Sequence, residues 1–187
     1  MRGASRGARP SDLRSCRSRA HTGTGKALPD SVFPSTSRNG ETVSTYILTW
    51  NAAKWHWKAG RRRREIERTE AGFVVQGRWA TGNRTHDIQP GDRAFLLQQG
   101  ATRGMVASGW IASEVFQDEH WNEVPGDIAN YAYVDWDVVL SDHDMVPVLD
   151  LKAEVPQMDW DHIQSSGVRL PEPAEEPLER AWAKHVG

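Results

Sequence analysis

The chain has 187 residues, enough for one domain of ordinary size, with 23 Lys and Arg against 25 Asp and Glu and a formal net charge of −2. No apolar run reaches the length of a secretory signal core or a membrane span. The single cysteine, Cys16, rules out an intrachain disulfide and a cysteine-based zinc site. A reducing, cytoplasmic setting without a membrane partner is the expectation.

Charge divides unevenly along the chain. Residues 1–44 carry eight basic and three acidic residues and little aliphatic content, whereas residues 45–187 carry 15 basic and 22 acidic. A Ser-, Arg- and Gly-rich segment of this kind cannot bury enough apolar surface to offset the entropy of ordering it, so disorder is predicted for residues 1–44. Its composition fits an organellar transit segment, a basic arm that tracks a nucleic-acid backbone, or translation from a misassigned upstream start. Gly23-Thr24-Gly25-Lys26 lacks the spacing and the preceding strand of a phosphate loop.

From Thr45 the pattern changes. Thr45–Trp50 is an apolar, β-branched run that reads as a strand, and Arg61–Arg68 as a mostly polar helix. Phe73–Val75 and Gly77–Trp79 read as short extended pieces on either side of a glycine turn. Pro90-Gly91-Asp92 signals a turn, with Asp92 capping local N–H groups, and leads into a buried strand at Arg93–Gln98. A turn at Gly100–Gly104 precedes a strand at Met105–Ala112, in which Gly109 marks a bulge or a close backbone approach. Residues 114–130 read as a long polar loop. Tyr131–Leu140 is a strand with Tyr131 and Tyr133 on one face and Val134 and Trp136 on the other. Val148–Leu151 suggests a short strand or packing turn, and Pro177–Lys184 a helix with Leu178 and Trp182 one turn apart. Together these elements predict an α+β domain over residues 45–187, a small, mostly antiparallel β-barrel with short peripheral helices.

The chain holds nine tryptophans, all after residue 49. Tryptophan dominates core packing, and Trp136, Trp160 and Trp182 fit that role. Trp55 and Trp57 suit either the core or a cover over the barrel end. Trp50 and Trp79 stand where strands end, beside Asn51 and Ala80-Thr81. A flat aromatic wall next to a hydrogen-bonding edge suits a planar ring such as an extruded base.

Five blocks, in order, carry a family resemblance: Tyr46–Asn51 with Trp55 and Trp57, Gly77–Gly82, Gly91–Leu97, Arg103–Gly109, and His120-Trp121. Over residues 45–187 they resemble the EVE domain of the PUA-like superfamily, related to YTH readers, in the form fused ahead of HNH nucleases in bacterial modification-dependent restriction. The resemblance implies a PUA-like barrel whose mouth takes a flipped base, in this branch a modified cytosine in DNA. It places Trp50, Asn51, Trp79, Ala80 and Thr81 around the pocket and Trp121 as the opposite wall. Ala52 departs from the proline of many relatives, and the chain stops at Gly187, where such proteins continue into the nuclease.

Basic runs are usually solvated faces, but a base-flipping reader also needs phosphate contacts, for which Arg61, Arg62, Arg63, Arg64, Arg78 and Arg84 are the candidates. Asp142-His143-Asp144 and Asp159, Asp161 and His162 match no metal or nucleophile spacing, so no catalytic residue, metal or cofactor is assigned. His120 is a candidate pocket donor, with a surface role the commoner case. The function expected is that of a modified-base reader rather than an enzyme, acting alone or with a separate nuclease subunit. Recognition of RNA by a PUA-like reader and a protein-interaction module without nucleic acid are the alternatives.

Overall fold

The structure, a computed structural model, describes residues 43–187 apart from Trp121 and Glu123. The disorder predicted for residues 1–44 therefore falls, but for Val43 and Ser44, outside the described residues.

Among these residues the chain forms eight strands and three helices: β1 (Thr45–Asn51), α1 (Ala59–Glu70), β2 (Val75–Gly82), β3 (Arg93–Gln99), β4 (Gly104–Ile111), β5 (Phe116–Glu119), β6 (Ile128–Val139), β7 (Val146–Pro147), α2 (Val148–Glu154), β8 (Val168–Arg169) and α3 (Glu172–Val186), with a 3₁₀ turn at Trp160–His162. The strands make one curled sheet in the order β2-β6-β4-β3-β1-β8, with β5 on β6 and β7 on β4. Only β1 and β3 pair parallel, from Thr45 opposite Arg93 to Asn51 opposite Gln99; the other pairings are antiparallel. The fold is α+β, with a barrel-like sheet.

The two central strands are buried on both faces, so they read as unbroken apolar runs rather than alternating ones. Tyr46, Leu48, Ala94 and Leu96 face the concave core, which also takes Trp50, Trp57, Trp79 and Trp136. Ile47, Phe95 and Leu97 face a second core closed by α2, α3 and the 3₁₀ turn through Leu151, Trp160, Leu178 and Trp182. Burial, with the Asp92 carboxylate nearby, raises the Tyr46 pKa, and its hydroxyl donates to the Asp87 carbonyl at 2.8 Å. Arg93 is the polar tie between layers. It is buried, pairs with Asp137 and with Glu179 of α3, and lies between the rings of Phe95 and Trp110. Asp92 caps Gln89 N–H, as expected, and also holds Ser44 N–H across the chain.

The curl brings β1 and β2 together at a seam. Ser166 accepts from Thr49 N–H at 3.1 Å and donates to Ala80 carbonyl at 2.5 Å, bridging the two strands. The crossing is too tight for side chains. A β-carbon at Gly167 (φ 76°) would lie 2.2 Å from Thr81 O, and one at Gly82 (φ 64°) 2.4 Å from Ser166 O. Both residues also hold backbone angles that side chains rarely adopt.

Four expectations need correction. Gly77 is not a turn but an interior residue of β2, paired with Val134; it is glycine because two indole rings occupy the space beside it. The expected loop 114–130 contains β5, whose Phe116 packs on Tyr131 and Tyr133. Val148–Leu151 opens α2 rather than a strand, burying Val148 and Leu151 at helical spacing and exposing Leu149. The last helix starts at Glu172, not Pro177, because Ala174, Leu178 and Trp182 at i, i+4 and i+8 need the longer helix to share one buried face. Gly109 meets its expectation: β4 shifts register against β6 there, and a β-carbon would lie 2.4 Å from Asp135 O.

Candidate functional site

The open end of the sheet is built by the chain leaving β1. Asn51 turns it: its carbonyl accepts from Lys54 and Trp55 N–H, each at 3.0 Å, and its side chain accepts from Ala53 N–H. This Asx-type turn swings Trp55 and Trp57 back over the sheet. Trp50 Nε1 then donates to Trp55 carbonyl at 2.9 Å, and Trp57 Nε1 to Glu65 of α1 at 2.7 Å. From the other side, alternation along β2 points Gly77 and Trp79 inward, and Trp136 of β6 lies beside them.

Five indoles thereby form one cage. Trp79 is its hub, edge-to-face with Trp55 (5.6 Å), Trp57 (5.2 Å) and Trp136 (5.7 Å). Trp50 meets Trp57 at 5.4 Å and Trp55 at 6.5 Å. Each such contact contributes about 0.5–1.5 kcal/mol beyond burial, so the cage stabilises the fold as well as shaping a surface. Trp50, Trp57, Trp79 and Trp136 are buried; Trp55 is half-buried and presents the most free surface at the mouth.

The cage bounds a half-open cleft of about 650 Å³. Gly77, Trp79 and Trp136 lie along it with Trp50, Trp55 and Tyr131, and its polar rim includes Asn51, Lys54, Arg61, Arg78, Arg103 and Asp161. Asp161 sits in an ion pair with Lys152 that lowers its pKa, so that rim position stays anionic. The side chain of Arg78 pairs with Asp118 and lies 4.3 Å over the Tyr131 ring. Arg61 pairs with Glu65 and is otherwise exposed. The arrangement can enclose a flat, uncharged ring, offer hydrogen bonds at its edge and attract an anion at its mouth.

Of the residues singled out in the sequence, Trp50, Asn51, Trp79 and Ala80 line the cleft together, with Arg61 and Arg78 at its rim. Thr81 does not: it is fully buried, its hydroxyl donates to Arg84 carbonyl, and it belongs to the seam. Trp121 lies outside the described residues. Arg62 is a second correction, because it faces inward under Trp50 and Trp57, at 4.9 and 5.3 Å, and bonds Asp142 and the Leu140 carbonyl. Arg63 and Arg64 are exposed on α1 beyond the cleft. Arg84 is engaged by Gly167 carbonyl and Asp87. His120 lies 3.4 Å from the Tyr131 hydroxyl and is not among the cleft residues.

Sequence reading missed Gly77, Tyr131, Arg103 and Ser166. It assigned Trp136 to the core alone, although that residue serves core and cleft together. A signal for Gly77 existed: it stands two residues before Trp79, so on a strand the two share a face.

Among the described residues no group of three or more His, Cys, Asp or Glu is placed to hold a metal ion, and no helix is long and apolar enough to cross a membrane. No family model matches the chain, and no curated protein matches it. Solved structures similar to it include the following two. The NMR structure of Rpa0253 from Rhodopseudomonas palustris is 16% identical, with 76% of this chain and 92% of that one covered and a TM-score of 0.48. The crystal structure of protein Atu2648 from Agrobacterium tumefaciens is 14% identical, with 74% and 93% covered and a TM-score of 0.45. Both are structural genomics targets.

Proposed function

We propose that this protein is a reader of a modified nucleobase, taking a flipped modified cytosine of DNA into the tryptophan cage. The observation that carries the reading is the coincidence of five indoles around one half-open cleft with basic side chains at its mouth. Extruding a base costs a few kcal/mol, and stacking on aromatic side chains returns about 1–3 kcal/mol per base. Hydrogen bonds at the ring edge and phosphate contacts by Lys54 and Arg61 supply the remainder. The resemblance of the β1, β2, β3 and β4 blocks to the EVE domain supports the same reading from the sequence. In a cytoplasmic defence system the protein would mark modified DNA for a separate nuclease.

The test is a binding series with fluorescein-labelled oligonucleotides of one sequence, carrying cytosine, 5-methylcytosine, 5-hydroxymethylcytosine or N6-methyladenine, each as DNA and as RNA. The expected result is tightest binding to one modified-cytosine DNA, with quenching of the indole fluorescence. Preference for the RNA series would move the assignment to an RNA reader. Binding to none of them would end it.

A further inference from the structure

Two polar groups at the inner end of the cleft lack a counterpart. Trp136 is 1% exposed, and its Nε1–H has no hydrogen-bond partner among the described residues. A buried donor left unpaired costs about 1–3 kcal/mol, and each such group asks for an explanation. The Nε1–H of Trp79 also bonds no described residue, although, unlike that of Trp136, it is not sealed from solvent. The other indoles of the cage behave differently: Trp50 donates to the Trp55 carbonyl, and Trp57 to Glu65. Trp182 has an unpaired Nε1–H as well, but it lies in the second core, away from the cleft.

The two free donors converge. A β-carbon at Gly77 would stand 3.0 Å from Trp79 Nε1 and 3.4 Å from Trp136 Nε1, and all three residues line the cleft. Gly77 is a regular strand residue paired with Val134 and does not have a positive φ, so its missing side chain answers to space and not to backbone conformation. Any other residue there would put carbon against both N–H groups.

The geometry points to a seat for a carbonyl oxygen, formed by the Trp79 and Trp136 indole N–H groups over Gly77, so that the ring this cleft accepts must carry a ring carbonyl. A carbonyl oxygen has two lone pairs and can accept from both donors at once. It is also neutral, which matters because the seat is made of indoles and a glycine. An anion placed there would be desolvated with its nearest cations only at the rim. Cytosine, thymine, uracil and guanine carry such an oxygen; adenine does not. The inference rests on the reader assignment and narrows it: the seat selects oxo-bearing bases, modified cytosine among them, and excludes adenine in methylated or unmethylated form.

The experiment is a titration of the full chain, labelled with ¹⁵N at its indoles, with 1-methylcytosine and with 9-methyladenine. With 1-methylcytosine the Trp79 and Trp136 indole proton signals should move downfield together, with an affinity about ten-fold above that for 9-methyladenine, as two neutral hydrogen bonds allow. Gly77→Ala, whose added carbon also crowds the Trp79 indole and lowers the melting temperature, should weaken 1-methylcytosine about ten-fold or more while the Trp50 and Trp57 signals still report the folded cage. Trp79→Phe, which keeps a ring wall and deletes one donor, should lose part of the preference over 9-methyladenine. The seat is overturned if 1-methylcytosine leaves both signals in place, or if 9-methyladenine shifts them equally. Oligonucleotide binding that moves only the Trp50 and Trp55 signals would sink the seat and keep the reader. Shifts with 1-methylcytosine but no binding of any oligonucleotide would keep the seat and sink the reader.

Discussion

Trp79 and Trp55 are both in the cage, yet they are not equivalent targets for mutation. Trp79 is buried and touches three other indoles, so Trp79→Ala should cost about 3–5 kcal/mol of stability, and any loss of binding would be confounded by unfolding. Trp55 is half-buried at the mouth, and the bond it receives from Trp50 goes to its backbone. Trp55→Ala should therefore leave the fold intact and remove about 1–3 kcal/mol of binding to the modified oligonucleotide, ten-fold or more in affinity. Melting curves and anisotropy titrations on the same preparation check both halves; a folded variant that binds like the parent would remove Trp55 from the site. Arg62 and Arg63 diverge in the same way although they are neighbours. Arg62 stacks on two indoles and bonds Asp142, whereas Arg63 is exposed. Arg62→Ala is expected to cost about 1–3 kcal/mol through lost cation–π contact and packing, and Arg63→Ala to change stability by less than about 0.5 kcal/mol, both read from denaturant midpoints. Four consecutive arginines look alike in a sequence. The distinction was nonetheless legible in part: Ile66 is the one large aliphatic residue of α1, and Arg62 lies one turn before it on the same face, with Thr69 one turn after.

At the scale of elements, β1, β3, β4 and β6 could be read from the sequence because apolar run and length agreed in each, and α1 as a polar, basic run with few strand-forming residues. Failures came where one residue type has two structural uses. Gly77 read as a turn because glycine usually punctuates, and only the indoles folded against it show that it is there for space. Pro177 read as a helix start because proline favours first turns, yet α3 runs through it with Pro173 also in its opening turn. The β5 pairing was hidden by polar composition, since an outer strand with one solvated face needs few apolar residues. The attachment of α3 to the sheet yields a pH prediction. Glu175 accepts from Thr45 N–H, and burial raises its pKa above the ordinary carboxyl value despite that bond and the nearby Arg169. A carboxyl that binds its proton more tightly folded than unfolded destabilises the fold once ionised, so stability from this group is present in acid and lost as pH rises through its folded pKa. Glu175→Gln keeps an oxygen for Thr45 and removes the charge. The variant should melt higher than the parent at pH 7, and the two should converge near pH 4. A variant that melts lower than the parent at pH 7 would show that attraction to Arg169 outweighs burial.

For the molecule as a whole, the balance of charge bears on the proposed reader role. Residues 45–187 carry 15 basic against 22 acidic residues, so the domain repels a duplex except where cations gather. They gather on one side: Lys54 and Arg61 at the mouth of the cleft, with Arg63 and Arg64 exposed on the same helix as Arg61. Among the described residues, neither Arg63 nor Arg64 is held in an ion pair, in contrast to Arg78 and Arg84. On the proposed reading, their side chains thus remain available to a phosphate backbone passing the cleft. Phosphate contacts displace counterions, so binding should weaken with salt by a slope of about −0.9 per contact. Replacing Arg63 and Arg64 together with Ala should reduce that slope by about 2 and weaken modified and unmodified oligonucleotides by the same factor, because phosphates carry no sequence information. Trp55→Ala should do the reverse, shrinking the preference for the modified base while keeping the slope. Titrations of the two variants across a salt series separate the contributions. If the double Arg variant keeps its slope, the backbone does not pass Arg63 and Arg64, and its phosphate contacts fall to Lys54 and Arg61 at the mouth of the cleft instead.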